Sequence, residues 1–172
     1  PVIMRKGKTF ISLFALDVNA QFKYPNYFSV LPTGQATKTS FTDGFFQVAK
    51  ANGIKTVALA AADAEFSQNA CEGARENAKK AGMKIVYDKS YPPPPKTSDF
   101  TPIVQALKAV NADLVVVCSY PADSVGIIEA ANEIGLTPKM FGGAMVGLQA
   151  LVFKEKLKGK LNGIVNYETW VP

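Results

Sequence analysis

The sequence contains no histidine. That removes Ser-His-Asp and Cys-His nucleophilic catalysis and most zinc and iron sites. An enzyme built on this chain would have to work with carboxylates, lysine or tyrosine. Cysteine is scarce: Cys71 and Cys118 are too few for a disulfide framework or a structural zinc site. Cys118 closes an apolar run and reads as a small buried hydrophobe. Arginine is limited to Arg5 and Arg75, and two-pronged phosphate recognition favours arginine. No apolar run reaches the length of a membrane span, so direct membrane insertion is not expected. A Walker-type phosphate loop is missing, and "GGAMVG" (Gly142–Gly147) lacks the G-x-G-x-x-G spacing of dinucleotide sites. The expectation is a chain with no metal, no cofactor and no catalytic activity.

What is present is ordinary for a globular protein. The chain has 172 residues, 48% hydrophobic and 19% charged, with a net charge of +5. That length suffices for one domain with a real core. The lysines are scattered apart from "FKEKLKGKL" (Phe153–Leu161). No arginine or aromatic residue interleaves with that cluster, so it reads as a solvated helix end and nucleic acid is not an expected partner. The start "PVIMRKGKTF" has no apolar stretch or small-residue cleavage site of a signal peptide. It reads as the start of a mature product or an excised piece.

Short β-rich runs alternate with helical ones. "IKTVALAA" (Ile54–Ala61) predicts a strand, and Glu65–Gly82 a helix with Gly82 just past its end. Met83–Tyr91 is the next strand. Pro92–Pro95 cannot pair and reads as a stiff polyproline segment leading to the next helix. That helix spans Thr101–Ala112, with Thr101 as N-cap and Pro102 at the first helical position. "DLVVVCS" (Asp113–Ser119) is near-continuously apolar, as expected of a strand covered on both faces. A helix over Pro121–Gly135, a short strand at "PKMFGG", a helix over "VGLQALVFKEKLKG" and a strand at Leu161–Trp170 complete the pattern. A further helix is expected within Gln35–Gly53. Such alternation implies βαβ units with right-handed crossovers. The expected fold is α/β: a three-layer sandwich around a doubly wound parallel five-stranded sheet. The first 33 residues fit this less well, with a strand-like opening, an aromatic-rich loop and no crossover helix.

Ligands of open α/β sheets bind outside the carboxyl ends of the strands, near the switch in strand order. Those ends place Phe66, then Ser119 and Tyr120, then Gly143, Ala144 and Met145 at the rim. Phe66, Tyr120 and Met145 together suggest an apolar binding surface.

At this level of detail the chain resembles a known family. "YFSVLPTGQATKTSFTDGFF", "IKTVALAAADAEFSQNACEGARENAKKAGMKIV", "SDFTPIVQALKAVNADLVVVCSYPADSVGIIEAANEIGL" and "MFGGAMVG" resemble the type I periplasmic binding proteins of branched-chain amino-acid ABC transporters. The resemblance implies two α/β lobes joined by strands that cross a hinge, with a small ligand held between them and delivered to ABC transporter membrane subunits. It implies strand order 2-1-3-4-5, counting from Ile54, and a periplasmic location. It assigns residues 1–22 to the end of lobe one and a hinge-crossing segment, 23–166 to the second lobe, and 167–172 to a strand returning to lobe one. Carried over position by position, its ligand contacts fall on Phe14, Ala15, Phe66, Tyr120, Ala144 and Met145. Amino-acid-binding members carry an acidic residue at the turn matching "GGAMVG", where this chain has Ala144 and Met145. The ligand expected is therefore a small carboxylate with an aromatic or aliphatic body and no amino group, clasped between Phe66 and Tyr120, unless Asp63, Glu65 or Asp123 replaces the acid. The alternatives are the effector-binding core of a transcription regulator and, behind it, a nucleotide- or flavin-binding α/β enzyme.

Overall fold

Residues 2–13, 18–31, 33–34 and 36–168 are described by a computed structural model. The opening segment comprises α1 (Val2–Arg5), β1 (Phe10–Ser12), α2 (Val18–Phe22) and β2 (Tyr27–Ser29). β1 and β2 pair in parallel, with Phe10 opposite Tyr27, as a two-stranded sheet of their own. Parallel neighbours need a crossover, and α2 lies within it. This corrects the expectation of no crossover helix. Five residues are too few to display a helical repeat.

After a 3₁₀ turn at Thr39–Phe41 come α3 (Asp43–Ala51), β3 (Thr56–Ala62), α4 (Glu65–Ala81), β4 (Lys84–Tyr91), α5 (Thr101–Ala109), β5 (Leu114–Ser119), α6 (Pro121–Ile134), β6 (Met140–Met145), α7 (Leu151–Leu157) and β7 (Ile164–Asn166). Strands β3 to β7 form one parallel sheet in the order β4-β3-β5-β6-β7. This is the expected order. Alternate residues of each central strand face opposite layers. Val57, Leu59, Ala61, Leu114, Val116 and Cys118 pack with α3 and α4. Ala58, Ala60, Ala62, Val115 and Val117 pack with α5 and α6. Burial on both faces is why these strands read as unbroken apolar runs. The crossover from β3 to β4 runs the opposite way along the sheet from the others and uses the opposite face, as crossovers of one hand require.

Gly82 and Gly135 end α4 and α6 in the left-handed conformation, at φ 74° and 68°. Two local expectations are corrected. The proline run bends: Lys96 N–H donates to the Pro93 carbonyl at 3.1 Å, with a cis peptide between Pro94 and Pro95. Thr101 is already helical, and the carboxylate of Asp99 accepts its N–H at 2.8 Å. Asp99 therefore supplies the side-chain cap that was assigned to Thr101.

Strand β6 is longer than "PKMFGG" suggests, running to Met145. Its glycines do not make a turn. They lie inside the sheet at φ 152° and 123°, and a Cβ on Gly142 would fall 1.6 Å from the Val165 carbonyl oxygen. Glycine is needed here because the neighbouring backbone approaches where a side chain would sit.

Candidate site at the carboxyl ends of the strands

The switch in strand order falls between β3 and β5. From β3 the chain enters α4 on one face of the sheet, and from β5 it enters α6 on the other. The layers diverge there, which is where ligands of open α/β sheets bind. Phe66 and Tyr120 stand on the two sides of this point. The Phe66 N–H, in the first turn of α4, donates to the Tyr120 hydroxyl at 3.2 Å. The rings meet edge to face, 5.9 Å apart at 65°. They touch one another and leave no slot for a flat ligand, so the expected sandwich is not formed. Phe66 is fully buried and Tyr120 half-buried. Burial raises the pKa of the Tyr120 phenol above its ordinary value, against the opposing Phe66 N–H.

Phe66 also meets Phe41 edge to face at 5.2 Å, and Phe41 meets Tyr167 at 5.1 Å. The sequence reading missed Phe41 and Tyr167. Phe41 sits in a 3₁₀ turn ahead of the first core strand, Tyr167 lies just beyond the last, and no local pattern joins them. Burial pushes the Tyr167 hydroxyl up to about 12.

Ser119, Gly143, Ala144 and Met145 belong to the strands and are all buried. Ser119 shares a 2.7 Å hydrogen bond with Ser124, whose hydroxyl donates to the Val146 carbonyl at 2.9 Å. The backbone of Met145 is held at both ends by one side chain: its N–H donates to Asn166 Oδ1 at 2.9 Å, and its carbonyl accepts from Asn166 Nδ2 at 2.8 Å. These residues shape the rim from behind. Phe14 and Ala15 lie outside the described residues.

Beside this rim is a groove of about 620 Å³. Its walls include Leu13, Leu31, Pro121, Val146, Phe153 and Tyr167. Gln149 closes one side, accepting from Gly147 N–H at 3.0 Å and donating to the Tyr167 carbonyl at 3.0 Å. Among the described residues, no charged side chain lines the groove. The acids weighed as substitutes are placed elsewhere. Asp63 and Glu65 are exposed, and Glu65 accepts from Asn69. Asp123 is fully buried and accepts from the Tyr91 hydroxyl at 2.6 Å. Burial pushes the Asp123 carboxyl above its ordinary pKa, opposed by that hydroxyl and by nearby N–H groups including that of Ser124.

The described residues thus form a three-layer, doubly wound lobe with an apolar groove at the carboxyl ends of its strands. The whole chain, residues 1–172, matches the family described as periplasmic binding protein. The chain belongs to that family. A Leu/Ile/Val-binding protein homolog of Brucella abortus is 33% identical over 88 residues, which cover 51% of this chain and 22% of that protein. The closed leucine-, isoleucine-, valine-, threonine- and alanine-binding protein of Brucella ovis superposes with a TM-score of 0.72 at 19% identity, over 89% of this chain and 38% of that one. A solute-binding protein of R. palustris in complex with 4-hydroxybenzoate superposes with a TM-score of 0.64 at 21% identity, over 86% and 39%. The chain thus spans less than half the length of these relatives. The structural likenesses establish the fold.

Proposed function

We propose that this chain is the second lobe of a solute-binding receptor, with its opening segment leading in from a first lobe. The receptor works in the periplasm and hands its ligand to the membrane subunits of an ABC importer. It binds and releases, without chemistry on the ligand. Such a site is completed when a second lobe closes over the first, so this chain supplies one wall of it.

The ligand proposed is a small carboxylate with an aromatic or aliphatic body and no free amino group. The carrying observation is the groove, apolar and free of charged side chains among the described residues. A buried ammonium left without a carboxylate is strongly unfavourable. An apolar body, by contrast, finds Phe153, Val146 and the Tyr167 ring. The ligand's own carboxylate would be held by hydrogen-bond donors of the facing lobe. The aromatic acid bound by the R. palustris relative supports this class. The names of the Brucella relatives support a branched-chain amino acid as the second reading.

Matched ligand pairs decide between them. Thermal shift on the two-lobed protein compares phenylalanine with 3-phenylpropanoate, and leucine with 4-methylpentanoate. The acids should raise the melting temperature and the amino acids should not. The reverse result assigns an amino-acid ligand. An assay of the chain alone should show far weaker binding than the two-lobed protein.

A further inference from the structure

Tyr167 walls the groove from just beyond the end of β7, outside the strand pairing of the sheet. Its carbonyl accepts from Gln149 at 3.0 Å. Its ring is met edge to face by Phe41, 5.1 Å away at 87°. Phe41 is 8% exposed and is not among the residues that line the groove. Its own ring is met in turn by the fully buried Phe66, edge to face at 5.2 Å and 81°. Phe41 thus stands between a buried ring and a wall of the groove.

The turn that carries Phe41 is fastened to α4. Asn77 is buried and donates through Nδ2 to the Thr39 carbonyl at 2.9 Å and to the Thr42 hydroxyl at 3.0 Å. Lys38 pairs with Glu72 at 2.8 Å. Gly73, one turn before Asn77 on the same face of the helix, lets the two backbones touch, since a Cβ there would run into the Lys38 carbonyl. The ion pair is partly exposed and contributes little. The buried amide and the glycine seat do most of the fastening.

We propose that Phe41 is a positioning residue for the ligand groove: seated on α4, it fixes the ring of Tyr167 as a wall of that groove. This rests on the reading that the groove holds the ligand. The physical route is preorganisation. A tyrosine past a strand end has side-chain freedom to lose, and a ligand packing against a loose ring would have to order it on binding. The edge-to-face contact with Phe41 has already ordered it. Without the Phe41 ring there is space behind Tyr167, so the wall can retreat and the groove widens. Binding then weakens although the residue removed does not line the groove.

A thermodynamic cycle on the two-lobed protein tests this. Phe41→Leu, Tyr167→Leu and the double variant are titrated calorimetrically with 3-phenylpropanoate and with phenylalanine. For whichever probe the unaltered protein binds, Phe41→Leu should weaken binding about three- to tenfold, the scale of one aromatic pair. In the Tyr167→Leu background the same substitution should have no further effect. Phe46→Leu, at a buried position of α3 that does not line the groove, should lower the melting temperature and leave the affinity unchanged. The fluorine signal of 3-fluorotyrosine at position 167, assigned by its loss in Tyr167→Phe, should shift in Phe41→Leu and stay in place in Phe46→Leu. If Phe41→Leu does not fold, Asn77→Ala, which unties the turn and keeps the ring, takes its place in the cycle. An unchanged affinity in Phe41→Leu, an equal loss with and without the Tyr167 ring, or the same loss in Phe46→Leu would overturn the proposal. An unmoved fluorine signal overturns it whatever the ligand. If neither probe binds, or Tyr167→Leu weakens neither, the reading of the groove fails instead, and the fluorine signal still decides whether Phe41 fixes the ring.

Discussion

The Phe66 N–H donates to the Tyr120 hydroxyl at 3.2 Å, and their rings pack edge to face at 5.9 Å. This pair joins the two helices that diverge at the switch in strand order. Tyr120→Phe keeps the ring and deletes the acceptor, with an expected loss of about 1 kcal/mol. Phe66→Ala empties a fully buried site, with an expected loss of about 3–5 kcal/mol. Urea unfolding followed by circular dichroism measures both. Equal losses would mean that Tyr120 acts through more than this hydrogen bond.

Gly142→Ala should unfold the edge of the sheet. The new Cβ would lie 1.6 Å from the Val165 carbonyl oxygen, at a φ of 152°. The obstacle is backbone, so β7 has to move away or unpair. The expected loss is about 3 kcal/mol or more, read as a large drop in melting temperature. Gly44→Ala, with open space around it and a helical position, should instead be neutral or slightly stabilising.

Asp113 makes acid stability depend on one carboxylate. It accepts from the N–H groups of Lys55 and Thr56 and from the Thr56 hydroxyl, and it pairs with Lys139 at 2.8 Å. The hydrogen bond from Lys139, with the backbone N–H of Lys55 next, holds its pKa well below the usual carboxylate range. A depressed folded pKa means fewer protons bound in the folded state. The stability it confers is therefore present above the ordinary carboxylate range and lost as pH falls through it. Asp113→Asn should flatten the loss of stability between about pH 5 and pH 2. Added salt should weaken the part of this effect that comes from Lys139, because that side chain is 69% exposed and salt screens exposed ion pairs.

Asp123 should act with the opposite sign. Burial raises its folded pKa, so the folded state binds more protons through that window. Its ionisation then erodes stability as pH rises from the ordinary carboxylate value through the folded one, and the effect is constant above. Tyr91→Phe removes the 2.6 Å donor and should cost about 1–3 kcal/mol at pH 7 and less at pH 4.5, where protonation relieves the buried charge. Asp123→Asn should abolish this pH dependence. A Tyr91→Phe penalty independent of pH would show that Asp123 does not titrate in the folded protein.

The central sheet was legible in the sequence because β3 and β5 are buried on both faces and leave unbroken apolar runs. Gly82 and Gly135 announced helix ends because only glycine adopts that backbone cheaply. The rim was less legible, for physical reasons. "GGAM" reads as a turn, yet its glycines are imposed by the neighbouring strand, a constraint from Val165 some twenty residues away. The Tyr120–Phe66–Phe41–Tyr167 series draws on four separate elements. Phe66 reads as a rim residue from its place after β3, but the first turn of α4 carries its ring inward.

The last prediction concerns the groove. Gln149 bridges Gly147 and the Tyr167 carbonyl with one acceptor and one donor. Gln149→Glu keeps the acceptor and turns the donor into a second oxygen facing that carbonyl. Its pKa should therefore rise, and the variant should lose about 1–2 kcal/mol near neutral pH, recovering part of it as pH falls and the carboxyl protonates. The same charge would then share an apolar-walled groove with the ligand. If the ligand is an acid without an ammonium group, the two-lobed protein carrying Gln149→Glu should bind 3-phenylpropanoate at least about tenfold more weakly, which corresponds to 1.4 kcal/mol. A ligand bearing an ammonium group should be spared or favoured, because the new carboxylate can pair with it. Isothermal titration of 3-phenylpropanoate and phenylalanine against both proteins reads the sign directly. If the substitution weakens both ligands equally, Gln149 shapes the groove without sensing charge, and the uncharged lining does not select between acid and amino acid.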